Sequence, residues 1–327
     1  MPAFRHQARL ALIAAPLALA LVATGCGGQE GEISSESNAA PAASAFPGAD
    51  GMTFEQLTAD AEASDLVVAP AQQTFTKGEN RYGFGVFTVE GQNVPTAEIA
   101  IYAARPNGEA VGPFPATSTT LTTAPAFASQ TTTTDPDAAT VVYTADAELE
   151  GEGEWRMMAM LRKEDGTFTT TNIPSAVVAK ASKIPEVGDK APVIHTPTAD
   201  DVGGDLAKID TRQPPGTMHD VDFAEVAGEE PVVLLLATPA LCTSRVCGPV
   251  VDITEEVKSE RPDDAAYIHN EIYVDNDPAK GPNEQVRAFN LPSEPWLFVI
   301  DDEGKVSTRI EGAFSADELN AALDKVN

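Results

Sequence analysis

Two hydrophobic rhythms meet at Lys183-Ile-Pro-Glu-Val-Gly-Asp-Lys-Ala-Pro192, where two prolines and a glycine end one pattern and another begins. Before the break lie short runs rich in Val, Tyr, Phe and Thr, at 81–89, 97–103, 141–149, 154–162 and 176–179, separated by turn residues. Runs of that length and composition are strands. After the break, 231–237 is wholly apolar, 250–258 has helical spacing, 266–274 reads as a strand and 283–291 as a short helix. Residues 296–300 and 306–310 pair across Asp301-Asp302-Glu303-Gly304, and Ser315-Ala-Asp-Glu318 opens a last helix with a capping box. Leu319, Ala322, Leu323 and Val326 form the buried face of that helix. The chain therefore reads as an all-β unit followed by an α/β unit.

The first unit, residues 52–183, has the strand count and length of a small β-sandwich of immunoglobulin-like size. Lys163-Glu-Asp-Gly166 offers a hairpin turn, and Trp155 on the preceding run is a core anchor. Residues 117–135 are dominated by Thr with Ser, Ala and Pro, which predicts a long exposed loop. Met157, Met158 and Met160 could be imagined as soft copper ligands, but neighbouring strand positions point to opposite faces, so they read as core filler. The unit shows no catalytic set and is expected to be a spacer or partner-binding module.

At the other end, Arg5 and Arg9 precede an apolar run over 10–23 and then Thr24-Gly25-Cys26, the order of a secretion signal in a run too short to span a bilayer comfortably. A signal ending in small residues directly before a cysteine resembles the lipobox of bacterial lipoproteins. That resemblance implies removal of residues 1–25, a palmitate-type lipid on Cys26, and a protein anchored to the cell membrane on its extracytoplasmic side. Residues 26–51 are Gly, Ser, Ala, Glu and Pro with almost no large apolar side chain, which predicts a flexible tether. Net charge is -29, and without residues 1–25, which hold two Arg and no acid, 19 basic residues face 50 acidic ones. A field of that sign excludes nucleic acid and anionic lipid surfaces as partners.

With Cys26 acylated, the remaining cysteines are one pair, Cys242 and Cys247, in an oxidising compartment. Two cysteines just past the first apolar strand, and Pro295 just before the hairpin, make residues 186–327 resemble the thioredoxin family. The lead-in Val187-Gly-Asp-Lys-Ala-Pro192 is similar to the start of extracytoplasmic redoxin domains. The resemblance implies a thioredoxin-like α/β fold, Cys242 as nucleophile where strand gives way to helix, Cys247 as its resolving partner, Pro295 as a cis-proline facing them, and Glu271 as an ionisable group beneath the disulfide. His269 shares the strand face of Glu271, and Arg245 between the cysteines could lower a thiol pKa. One departure is plain: the family separates its cysteines by two residues, whereas Cys242-Thr-Ser-Arg-Val-Cys247 has four between them. Residues five apart on an ideal helix have Cα atoms roughly 8 to 9 Å apart, beyond the disulfide reach of about 7 Å, so a bonded Cys242 must lie in the loop. Gly248-Pro249 allows a helix that begins at Pro249, or one that begins near Ser244 and kinks at Pro249. The second reading is preferred, because it gives Cys242 more help from the helix dipole.

The leading functional reading is a membrane-anchored thiol-disulfide oxidoreductase acting on protein thiols or disulfides, with no cofactor and no metal. Two alternatives stand beside it. One is a binding or spacer lipoprotein with a structural disulfide, although a bond closing so short a loop contributes only about 2 kcal/mol. The other is a copper chaperone, whose soft thiolates suit Cu(I) but which would need a histidine from among His195, His219 and His269. A peroxidase is disfavoured because Pro239 stands where that family keeps a threonine, three residues before the cysteine.

Overall fold

The alternating runs before residue 183 build two five-stranded sheets. The computed structural model describes Met1 and residues 37–327, so the signal segment, Cys26 and the first part of the tether lie outside the described residues. In chain order the strands of this half are β1 (Ser37–Asn38), β2 (Glu62–Ala63), β3 (Val67–Pro70), β4 (Gly78–Phe87), β5 (Glu98–Ala104), β6 (Ala110–Pro115), β7 (Thr117–Thr120), β8 (Val141–Leu149), β9 (Gly153–Arg162) and β10 (Phe168–Val178), with short helices α1 (Phe54–Leu57) and α2 (Gln130–Thr133). One sheet runs β1-β7-β8-β4-β3 and the other β2-β10-β9-β5-β6. The side-chain period of two explains what they bury. Trp155, Met157, Ala159 and Leu161 of β9 share a core with Ile99 and Ile101 of β5 and with Tyr82, Phe84 and Tyr143 of the opposite sheet. Met158 and Met160 face the other way, against Tyr102, Phe46, Phe54 and Leu57. All three methionines are core filler, as expected, but in two cores.

That second core corrects the tether. Its expected end at residue 51 is too late, because Phe46 and Ala49 are buried on the outer face of β5 and β9 and β1 already pairs with β7. The Tyr102 hydroxyl donates to the Pro47 carbonyl at 2.7 Å. A single aromatic residue in a stretch of Ala, Ser and Pro is enough to dock it, since the apolar face it covers would otherwise meet water.

The second half has α3 (Phe223–Val226), β11 (Val232–Leu236), α4 (Cys247–Glu260), β12 (Ala266–Asn270), α5 (Glu284–Ala288), β13 (Trp296–Ile300), β14 (Val306–Glu311) and α6 (Ala316–Leu323). Its sheet runs β12-β11-β13-β14, with β11 parallel to β12 and antiparallel to β13. Apolar side chains on both faces of β11 are required because both faces are covered. Val233 and Leu235 pack with Val250, Val251 and Val257 of α4 and Leu319 of α6, while Leu234 and Leu236 pack with Phe223, Phe289 and Phe298. Ser315 caps α6 through the expected box with Glu318. From β11 onward this is the order of strands and helices that the sequence pattern predicts. No helix among the described residues is long and apolar enough to cross a membrane.

Residues 117–135 are not the exposed loop that their composition predicts. They contribute β7 and α2, and their polar groups find partners on α4. Asp252 accepts from the Ser129 N–H at 2.9 Å and its hydroxyl at 3.1 Å, Glu256 accepts from the Ala124 N–H at 2.8 Å, and both carboxylates are buried. Arg212 joins the same knot, donating to Asp252 at 2.8 Å and to the Phe127 carbonyl at 2.6 Å. A threonine-rich segment cannot bury much apolar surface, but it can be held by acceptors supplied from elsewhere. Farther along, Arg81 of β4 pairs with Glu318 at 2.5 Å, Glu311 accepts from the Gln73 and Thr74 N–H groups at 2.9 and 3.0 Å, and a Cβ on Gly312 would collide with the Ala71 carbonyl.

Candidate active site

β11 ends at Leu236, and the chain then crosses Ala237 to Leu241 before reaching Cys242 in a loop. Helix α4 begins neither near Ser244 nor at Pro249 but at Cys247, so both expected starts are corrected. Pro249 falls in the first turn, where its missing N–H has no intrahelical acceptor to lose, and the helix runs through it. Arg245 has φ 63, a left-handed conformation that bends residues 243–246 back on themselves. As a result Cys242, although outside the helix, faces its start.

The two thiols differ sharply. Cys242 is half-buried and Cys247 fully buried. The Cys242 thiol is pulled down to about 6 by a hydrogen bond from Cys247, with further help from Ser244, whose Oγ is 3.1 Å away, and from the N–H groups of Cys247 and Val246, all against the opposing effect of burial. The Cys247 thiol is pushed well above its ordinary value, first by burial and then by the neighbouring Cys242. One sulfur is therefore held as a thiolate near neutral pH while the other keeps its proton.

Arg245 does not supply this effect. Its guanidinium pairs with Asp135 and Asp137, both at 2.8 Å, so the expected influence on the thiols is corrected: two carboxylates compete for the charge. Asp135 belongs to the threonine-rich segment, which thereby forms one wall of a cleft of about 450 Å³ that also includes Thr131, Pro239, Cys242 and Gly248. A Cβ on Gly248 would meet Thr132 Oγ1 at 2.8 Å, so the close approach of that wall depends on glycine.

Pro295 follows a cis peptide bond to Glu294, as the resemblance implies, and leads directly into β13 beside β11. The carboxylate that acts on the thiols is Glu294. Its pKa is raised by burial and then by the charge on Cys242, it accepts from the Thr243 backbone, and it in turn helps to raise Cys247. The partly buried Tyr273 phenol is raised by burial and by the same three groups. Sequence reasoning passed over Glu294; its position directly before Pro295 was the available signal.

Glu271, expected beneath the thiols, is held instead by Thr211, whose N–H and hydroxyl both donate to it at 2.7 Å. Burial raises its pKa, and it is not a leading influence on either cysteine. His269 is buried two residues before it and donates from Nε2 to the Ala237 carbonyl, 3.1 Å away. His219 is buried against Asp210 at 3.0 Å, and His195 lies at the surface against Asp222 at 2.8 Å. Among the described residues, the group close enough to hold a metal ion is Asp210, His219 and His269, without either cysteine.

Among solved structures, the chain is similar to two proteins from Chlorobium tepidum. One is described as thiol:disulfide interchange protein DsbE (19% identity over 42% of this chain and 99% of that one, TM-score 0.29). The other is a thiol:disulfide interchange protein of the thioredoxin family (18% identity over 45% and 99%, TM-score 0.28). It is also similar to the Lin-41 filamin domain (11% identity over 36% and 96%, TM-score 0.22). No family model matches the sequence, and neither does any curated protein.

Proposed function

We propose that this chain is a thiol-disulfide oxidoreductase of protein substrates, lipid-anchored through Cys26 on the extracytoplasmic side of the cell membrane. The observation that carries the redox reading is the asymmetry of the two thiols, one half-exposed and held near 6, the other buried and held high. A low-pKa thiolate in front of a helix start is the attacking species of disulfide exchange. The Cys242 thiolate attacks a substrate disulfide, forms a mixed disulfide and releases the first substrate thiolate. Cys247 then loses its proton to Glu294 and attacks the Cys242 sulfur, which releases the second substrate thiolate. Two electrons pass to the substrate and a Cys242–Cys247 bond remains; the reverse sequence oxidises a dithiol. Pro295 borders the pair where the substrate chain docks, and the two-sheet unit serves as an immunoglobulin-like spacer or partner-binding module.

The test is the reduction potential of the pair, read by thiol labelling in glutathione or dithiothreitol buffers. A value above about -300 mV is expected of an exchangeable bond, and a bond that resists reduction while the chain is folded would sink the proposal. Cys247→Ser should trap a mixed disulfide with a protein substrate, and Cys242→Ser should trap none.

A further inference from the structure

At β12, three side chains from two stretches of the sequence converge. Asp210, His219 and His269 are all buried, and one donor atom from each lies within 4.8 Å of the other two. His219 Nε2 is 3.0 Å from Asp210 Oδ2, whereas His269 Nδ1 is 3.7 Å from Asp210 Oδ1, beyond hydrogen-bond reach. His269 Nδ1 and His219 Nδ1 have no hydrogen-bond partner. His219 Nδ1 lies on the ring edge away from Asp210, but His269 Nδ1 is the nitrogen nearest Asp210, and a buried imidazole nitrogen without a partner is costly, so a second occupant beside His269 Nδ1 and Asp210 is the economical reading.

The spans fit a metal ion. Ligand bonds of about 2.0 to 2.1 Å in a tetrahedral shell place neighbouring donors roughly 3.3 Å apart, between the two distances seen. The outer contacts also fit. His269 is oriented through its other nitrogen by the Ala237 carbonyl, and the Asp210 oxygens accept from the Arg212 N–H at 2.8 Å and the Gly216 N–H at 2.7 Å. Metal-binding histidines and carboxylates are held in this way. We propose that Asp210, His219 and His269 bind one zinc ion, with the fourth position left to a non-protein donor or a neighbouring oxygen. Two imidazoles and a carboxylate suit zinc, and their burial makes it an ion taken up as the chain folds. It would fasten the segment 210–219 to β12, and through Thr211, whose hydroxyl accepts from the Ala240 N–H at 3.0 Å, steady the loop that leads to Cys242.

The experiment uses the full chain with Cys26, Cys242 and Cys247 replaced by serine, so that no thiolate can bind metal and the result is independent of the redox reading. Refolded with zinc and freed of excess by gel filtration, it should retain one equivalent by elemental analysis, and its thermal midpoint should rise with zinc concentration. Cobalt(II) in its place should give the strong visible bands of a tetrahedral site without thiolate charge transfer. His219→Asn and His269→Gln should each weaken zinc more than about 100-fold, exceeding the 10- to 100-fold cost of losing an outer contact. If these variants do not fold, the cobalt spectrum of the unsubstituted ligand set decides. A folded chain that retains no zinc and whose midpoint ignores it overturns the proposal, leaving a buried imidazole–carboxylate pair only.

Discussion

The two halves of the molecule bury different things. In the two-sheet half the buried polar residues, Gln72, Asn80, Ser118, Thr119 and Ser129, are all uncharged. In the second half the buried set includes Asp210, Arg212, Asp252, Glu255, Glu256, Glu271 and Glu311 as well as His219 and His269. Apolar burial is non-directional and leaves little for chemistry to act on, whereas a buried charge must be met by a placed donor. The first half is therefore a scaffold, and the second carries the groups whose protons and electrons can be moved. The polar contacts between them run both ways: carboxylates of α4 accept from the threonine-rich segment, while Arg212 donates to the Phe127 carbonyl and Arg245 pairs with Asp135 and Asp137.

The contrast can be broken most forcefully at Arg212. Arg212→Ala strands Asp252 without its cation and should cost about 3 to 5 kcal/mol in chemical denaturation. Phe84→Ala in the scaffold core should lose a similar amount, about 3 to 5 kcal/mol, but through a cavity that involves no charge. The two are told apart by pairing Arg212→Met with Asp252→Leu, which should recover stability if the buried pair is replaceable by packing. At the site, reduced protein should gain stability over Cys242→Ser as pH rises from about 6 toward the ordinary thiol value of 9.0. The sign follows from a pKa lowered on folding: the contribution is present above the unfolded value and is lost as pH falls through the folded one. Glu294→Gln removes a negative neighbour, so the pH midpoint of Cys242 alkylation should drop below about 6 while release of the mixed disulfide by Cys247 slows. Met160→Leu, a near-isosteric change on the outer scaffold face, should shift stability by less than about 1.5 kcal/mol.

What could be read from sequence follows the same divide. Runs such as 141–149 and 231–237 declare themselves because apolar pattern and burial are local statements, and the capping box at Ser315 needs only four residues. The place of Cys242 and Cys247 after β11, and of Pro295 before β13, is legible from their order along the chain. The start of α4 was not, since Gly248-Pro249 permits two starts and the contact against Thr132 comes from a segment more than a hundred residues earlier. The fold of the threonine-rich stretch is hidden for the same reason: Asp252 and Glu256, which hold it, are as remote. Glu271 is held by Thr211, a partner 60 positions away that neither spacing nor composition marks.

The clasp between residues 117–135 and α4 bears on how this protein can be taken apart. Many chains of two units behave as detachable modules, and a useful half can be cut free. Here a cut near residue 183 would uncover Asp252 and Glu256 on the helix that begins with Cys247, strip Asp135 and Asp137 from Arg245, and remove one wall of the cleft around Cys242. The isolated second unit would be a different reagent, with an open nucleophile and a helix carrying unmet charge. Selectivity measured on such a fragment would describe the fragment.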